Sequence, residues 1–238
     1  MTQRKNHFTK GIDMKKSLLI LAGASALLLS SCASKFSADQ KASLTSFSVP
    51  KPAISNSAYV APIGNSDFNT SANSGGAIGV LLGAAIDAGI KASQRSGFNS
   101  KYGSAAAQAK TSIPSDLNEI VQSKTAYYVN TIPELNGKLS NSSKNSLITN
   151  VTAYGYKRTG KQDGKILMTP YINASVSMYL NGEQAFKPVL VNGDAYPMNG
   201  GGHEITSYTS DKSLAINDFR AAADSLANKI KTVIANKF

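Results

Sequence analysis

The single cysteine of the chain, Cys32, follows a segment with the three parts of an export signal. Residues 14–16 include two lysines, residues 18–29 are predominantly apolar, and the small residues Ser30 and Ser31 precede the cysteine. The apolar run is about a dozen residues, short of the roughly 20 that a membrane-spanning helix needs. Because no second thiol exists, no disulfide within the chain can stabilise the fold, even in an oxidising compartment.

Leu29, Ser30, Ser31 and Cys32 match the lipobox of bacterial lipoproteins. The resemblance implies that the Cys32 thiol receives diacylglycerol, that the chain is cut before Cys32, and that the new amino group accepts a fatty acyl chain. The reactive species in such chemistry is a thiolate, which only cysteine supplies. Two or three acyl chains make a stable anchor, whereas one chain is marginal. The alternative interpretation of Cys32 is a free cysteine in a protein core.

The residue after the lipobox cysteine predicts the location. In Gram-negative lipoproteins, Ala33 in place of aspartate implies sorting to the outer membrane, with the protein facing the periplasm. The natural start of the chain is either Met1 or Met14, and we favour Met14 because residues 1–13 weaken the amino-terminal signal pattern.

The net charge of the chain is +11, and residues 1–31 carry five basic residues and one acidic residue, so about +7 remains after their removal. The basic residues are scattered and form no arginine-rich or aromatic-basic motif, so we do not predict nucleic acid as a partner. A basic surface in the envelope suits anionic lipid head groups or an acidic partner. The simpler interpretation is that the charge only keeps the protein soluble.

The chain divides into three predicted parts. Residues 1–31 are an upstream extension and a signal peptide that is removed, residues 32–57 are the lipid anchor and a flexible tether, and residues 58–238 are a periplasmic domain. The tether prediction depends on composition, because the segment is rich in Ser, Ala and Lys and contains Pro50 and Pro52 without a helical or strand period.

The second half of the domain has the pattern of an antiparallel sheet. Apolar and polar residues alternate from Leu147 onwards, most clearly over 166–180, which indicates strands. Asp163-Gly164 and Asn181-Gly182 are pairs that favour two-residue hairpin turns. Residues 184–196 and 204–209 are the further strands that we predict.

Helices are predicted before and after these strands, over 75–92, over 93–111 and from Pro114. The last helix has apolar residues at three- and four-residue spacing, among them Phe219 and Leu226, and Asn217 or Asp218 is the predicted cap. The fold class that follows is α+β: an antiparallel sheet of three to five strands with helices packed on one face, preceded by a signal segment and a flexible tether.

The predicted helix over 75–92 carries Gly75, Gly79 and Gly83 at four-residue spacing, so the glycines form one smooth ridge. The segment resembles the glycine zippers of several bacterial envelope proteins. Three interpretations stay open: packing of the helix on its own domain, self-association through the ridge, and contact with a membrane. Asp87 interrupts the apolar run before it reaches membrane-spanning length.

The residues that commonly carry catalysis are sparse in the mature chain. His203 is its only histidine, and it lacks the second histidine of a metalloprotease motif, so we predict no metal site and interpret His203 as an exposed loop residue. The glutamates could act in pairs only if the fold placed two of them across one cleft. They are Glu119, Glu134, Glu183 and Glu204.

The tether, the glycine-rich segment, the antiparallel strands and the final amphipathic helix together resemble Gram-negative outer-membrane lipoproteins. More distantly, residues 113–238 resemble the α+β domains of lipoproteins that activate peptidoglycan synthases or assist secretion pores. The anchor, the long tether, the glycine ridge and the missing catalytic residues favour a non-enzymatic binding or assembly component, held to the membrane by its lipid anchor, with a protein partner or self-association. We predict no cofactor beyond the covalent diacylglycerol and fatty acyl groups that the lipobox implies on Cys32. The alternative is a carrier of a lipid or small apolar ligand, and a carboxylate-dependent cell-wall enzyme is less favoured.

Overall fold

The structure, a computed structural model, describes residues 35–54, 58–64, 92–196 and 201–238. The predicted signal segment, the predicted lipidation site and nearly all of the predicted glycine-rich helix lie outside these residues. The positions concerned are Leu29, Ser30, Ser31, Cys32, Gly75, Gly79 and Gly83.

A long antiparallel hairpin forms the centre of the domain. Strand β3 (Ser146–Gln162) pairs with strand β4 (Lys165–Leu180) along their whole lengths. The turn between them contains Asp163 at φ 50° and Gly164 at φ 74°, and two positive φ values define the tight turn that the sequence predicts. Asn181 and Gly182 have φ values of 52° and 89° and turn the chain in the same way after β4.

Five shorter strands complete a seven-stranded sheet. Strands β1 (Ala53–Ile54) and β2 (Tyr59–Gly64) pair in parallel with β3. Strands β5 (Glu183–Gln184), β6 (Val189–Asp194) and β7 (His203–Glu204) pair antiparallel with β4. The predicted α+β class is confirmed, but the sheet is mixed and has more than the predicted three to five strands. The additional strands include three of two residues each, which are too short to show any periodicity.

Five helices are described: α1 (Ala38–Ser43), α2 (Ala92–Lys110), α3 (Leu117–Asn130), α4 (Ile205–Ser210) and α5 (Lys212–Ala235).

Helix α5 packs on β4 and β6, and α3 packs on α5. Alternate residues of β4 point to this core, where Ala174 and Val176 have no exposed surface, whereas Ser175 between them is half-buried. Helix α5 therefore covers one face of the sheet, in agreement with the prediction that helices pack on one face.

The predicted flexible tether over 32–57 is wrong for residues 35–54. Phe36, Leu44, Phe47 and Val49 are at most 5% exposed and belong to the main hydrophobic core. These four large apolar side chains follow no regular period, so composition alone gave the segment the appearance of a linker. The folded domain begins by residue 35, close to the predicted anchor.

Two local predictions in the last forty residues are also wrong. Residues 204–209 do not form an edge strand, because β7 ends at Glu204 and α4 follows at once. The cap of α5 is Asp211, whose side chain accepts hydrogen bonds from the backbone N–H groups of Ser213 and Leu214. Asp218, one of the two predicted caps, lies inside the helix, where its side chain is only 8% exposed.

Candidate functional site

A buried carboxylate and two tyrosines form a polar cluster inside the domain. Asp218 lies on the apolar side of α5, four residues before Ala222 and eight before Leu226, so the helix directs it into the core. The hydroxyl of Tyr208, on α4, donates to Asp218 Oδ2 at 2.8 Å. The hydroxyl of Tyr196, which follows β6, donates to Asp218 Oδ1 at 3.1 Å. Each carboxylate oxygen therefore has a donor, which a buried charge needs.

His203 joins this cluster, which we call the Asp218 network, from strand β7. Its Nε2 atom is 3.2 Å from the hydroxyl oxygen of Tyr196 and 4.0 Å from Asp218 Oδ2. Because the Tyr196 hydroxyl gives its proton to Asp218, its oxygen is free to accept one from His203 Nε2–H. The interpretation of His203 as an exposed loop residue is corrected: it lies in a strand, is partly buried, and is hydrogen-bonded.

The electrostatics of the network keep its tyrosines protonated. Burial, and then the negative charge of Asp218, raise the pKa of the Tyr208 hydroxyl far above its ordinary value. The same two causes raise the pKa of Tyr196 and of Tyr156, whose ring packs 4.7 Å from that of Tyr208. Tyr196 and Tyr208 act as fixed donors to Asp218, and their raised pKa values disfavour the ionised hydroxyl that a base or a nucleophile needs.

The network connects three separate structural elements. Tyr196 belongs to the connection after β6, Tyr208 to α4, and Asp218 to α5. Thr159 of β3 adds a further link, since its hydroxyl donates to the carbonyl of Gly201 at 2.5 Å. The hydrogen bonds hold Tyr196 against the helices and Gly201 against β3, which is a structural role.

A buried ion pair lies apart from the Asp218 network, between a lysine of β3 and an aspartate of β6. Lys157 Nζ is 2.6 Å from Asp194 Oδ1, and both side chains are largely buried. Burial lowers the pKa of Lys157, and the neighbouring Asp194 opposes part of that shift. The Lys157 ammonium also lies 5.8 Å from the centre of the Tyr171 ring. The pair joins β3 to β6 across β4.

The four glutamates that we considered as catalytic candidates lie on separate elements. Glu119, on α3, pairs with Lys51 at 2.7 Å, and Glu204, on β7, pairs with Lys165 at 3.2 Å. Glu134, in the loop after α3, and Glu183, at the β5 turn, are exposed. Over the described ranges, no three His, Cys, Asp or Glu side chains are grouped closely enough to hold a metal ion.

The first described residues meet the carboxyl terminus at one end of the domain. The backbone N–H of Phe36 donates to the carbonyl of Lys237 at 2.7 Å, and its ring packs against those of Phe238 and Phe186, at 5.1 and 6.3 Å between centres. Lys41 Nζ donates to the carbonyl of Phe238 at 2.9 Å. We call this surface, made of residues 35–43, 181–187 and 236–238, the terminal face.

Sequence reasoning missed both the Asp218 network and the terminal face. A signal existed for the first, because Asp218 is a charged residue within the apolar stripe of an amphipathic helix, and such a residue needs buried partners. For the second, the clue was the presence of Phe36 and Phe47 in a segment otherwise typical of a linker. Neither clue identifies the partner residues.

Among the residues that the structure describes, none of the helices has both the length and the apolar character needed to cross a membrane. Comparison with protein-family models finds no family that matches the chain, and comparison with curated proteins finds no match either.

Proposed function

We propose that this protein is a lipid-anchored component of the outer membrane that faces the periplasm and acts by binding or assembly, without catalysis. The observation that carries the proposal of binding without catalysis is that several of its carboxylates already have hydrogen-bond or ion-pair partners within the domain. The carboxylate of the Asp218 network accepts from two tyrosine hydroxyls, and Asp194, Glu119 and Glu204 each pair with a lysine. Side chains engaged in this way hold elements together, and they present no carboxylate pair to a substrate.

The contact between sheet and helix favours binding at the surface over carriage of an apolar ligand inside. A Cβ atom on Gly193 of β6 would lie 2.2 Å from the carbonyl oxygen of Ala222 and 2.6 Å from the backbone nitrogen of Leu226. Strand and helix backbones therefore touch at this point, which leaves no space for a lipid between them. The predicted partner is accordingly a protein or a second copy of this chain.

Lipidation is tested with Cys32→Ser in a Gram-negative host that is fed a labelled fatty acid. We expect the unaltered chain to incorporate the label and to fractionate with the outer membrane, and Cys32→Ser to do neither. Ser31→Ala is the matched control, because it keeps a small residue beside an intact thiol. A Cys32→Ser protein that still carries the label would contradict the anchor.

Assembly is tested by crosslinking and native mass measurement of the detergent-solubilised protein. Gly79→Leu and Gly83→Leu place bulky side chains on the predicted ridge, and Ile78→Leu changes another face of the same predicted helix. We expect a partner or an oligomer that the two glycine variants weaken and the control retains. A monomer without any crosslinked partner, unaffected by the variants, argues against the proposal.

A further inference from the structure

The geometry points to the terminal face as the surface of the domain that lies on lipid head groups. This inference rests on the proposed anchor at Cys32, and it adds an orientation of the domain relative to the membrane. The partner is the phospholipid surface into which the anchor itself inserts.

The reach of the chain between the anchor and the domain is short. Three Cα–Cα steps separate Cys32 from Lys35, so the two Cα atoms are at most about 11 Å apart at ~3.8 Å a step. The head-group layer on each side of a bilayer is about 5–7 Å thick, from the difference between total and hydrocarbon thickness. A reach of this length exceeds the thickness of that layer by only a few ångströms, so the proposed anchor holds Lys35 at the surface of the layer.

The domain cannot lengthen this connection without losing core contacts. Phe36 is tied to Lys237 by a backbone hydrogen bond and is 5% exposed, and Leu44 and Phe47 are 1% and 0% exposed. A capping box between Ser37 and Gln40 begins α1 at once, with both of its hydrogen bonds formed. The short reach is therefore a property of the folded state.

The side chains of the terminal face suit head groups better than hydrocarbon. Lys35, Lys41 and Lys187 are exposed there beside the exposed carboxylates of Asp39 and Glu183, so charged side chains of both signs cover the face, and its lysines can interact with lipid phosphates. The exposed large apolar residues that the structure describes are Tyr59, Tyr127, Leu139 and Leu190, and none belongs to this face. The face therefore rests on the membrane surface and does not insert.

The orientation has a consequence for the rest of the domain. Strand β4 starts at Lys165 and ends at Leu180 beside the terminal face, and its 16 residues span about 50 Å at ~3.3 Å a residue, less any shortening by twist. The Asp163-Gly164 turn therefore lies at the end of the hairpin opposite the terminal face. His203 pairs with Met168 near that same end, so the Asp218 network faces away from the lipid.

The test measures the distance of two sites from the membrane in the full, lipidated chain. Because Cys32 is the only native cysteine and carries lipid, an introduced cysteine is the only free thiol. Ala42→Cys places a dye on the terminal face, and Gln162→Cys places the same dye at the far turn; both positions are exposed. The protein is reconstituted in vesicles of phosphatidylethanolamine and phosphatidylglycerol that contain an energy acceptor on the head group.

We expect strong energy transfer to the head-group acceptor from the dye at position 42 and weak transfer from the dye at position 162. A water-soluble quencher should quench the dye at position 162 more than the dye at position 42. Equal transfer at both sites, or stronger transfer at 162, overturns the orientation. The mass of the lipidated peptide is measured on each variant first. Absent lipid means that the proposed anchor fails, whereas lipid present with equal transfer means that only the orientation fails.

Discussion

Replacement of Phe36 by alanine distinguishes a tether from a folded segment. In a flexible tether the side chain would contact water in both the folded and the unfolded protein, and its removal would not change the free energy of unfolding. In the structure the ring is 5% exposed and packs against Phe186 and Phe238. Phe36→Ala removes those contacts and exposes part of the core.

The expected loss follows from the burial of the ring. Phe→Ala in a core costs about 3–5 kcal/mol, and the cost depends on how far neighbours collapse into the cavity. Phe36 lies at the periphery beside the half-buried, terminal Phe238, which can move into the gap, so we expect the lower end of the range. At about 2–4 °C per kcal/mol for a domain of this size, a loss of about 3 kcal/mol lowers Tm by about 6–12 °C.

The assay is thermal unfolding of the detergent-solubilised protein, followed by circular dichroism. Lys35→Ala is the matched control, because it changes the neighbouring exposed side chain, and we expect its effect to stay within about 0.5 kcal/mol. A Phe36→Ala protein whose Tm equals that of the control would refute the packing of this segment. It would also remove the basis for the short reach between anchor and domain.

Two further predictions concern the glycines and the tyrosines. Gly193→Ala drives a methyl group into the backbone of α5 at 2.2 Å and should cost about 1–3 kcal/mol or more, whereas Gly103→Ala on α2 meets nothing closer than 4.0 Å and should stabilise by about 0.5–1 kcal/mol. Denaturant unfolding checks the pair, and equal effects would contradict the close contact of β6 and α5. Burial raises the pKa values of Tyr156, Tyr171 and Tyr208 above the ordinary 10.0, so their contribution to stability is complete below pH 10 and is lost as pH rises towards the folded-state pKa values. The lowered pKa of Lys157 acts in the opposite direction, but it is one group against three. We expect Tm to fall as pH is raised above 10, because each tyrosine lowers the free energy of unfolding by about 1 kcal/mol per pH unit. An absorbance titration in which these hydroxyls ionise at their ordinary pKa would count against this prediction.

The candidate site shows where prediction from sequence ends. Four-residue spacing shows that Asp218 shares the apolar stripe of α5, and buried charge implies hydrogen-bond donors. It does not show that the donors are Tyr196 and Tyr208, because those residues come from the connection after β6 and from α4. The wrong strand over 204–209 hid one of them, since α4 has only six residues and its sequence also suits a strand.

Sequence alone determined the features whose physical cause is local. Asp163-Gly164 and Asn181-Gly182 specify their turns because asparagine, aspartate and glycine tolerate positive φ. The amphipathic period specifies α5, and the alternation specifies β3 and β4. In each case the chemistry that decides the structure lies within a few residues of the position concerned.

The tertiary structure alone decided where the domain begins. Phe36 is buried by Lys237 and Phe238, about two hundred residues away in the sequence, and Phe47 forms a bridge with Leu139. Burial of an isolated apolar side chain depends on the surface that the rest of the chain brings to it, and no local period records that surface. For this reason a segment with the composition of a linker became part of the core, and the domain lies within a few residues of the proposed anchor.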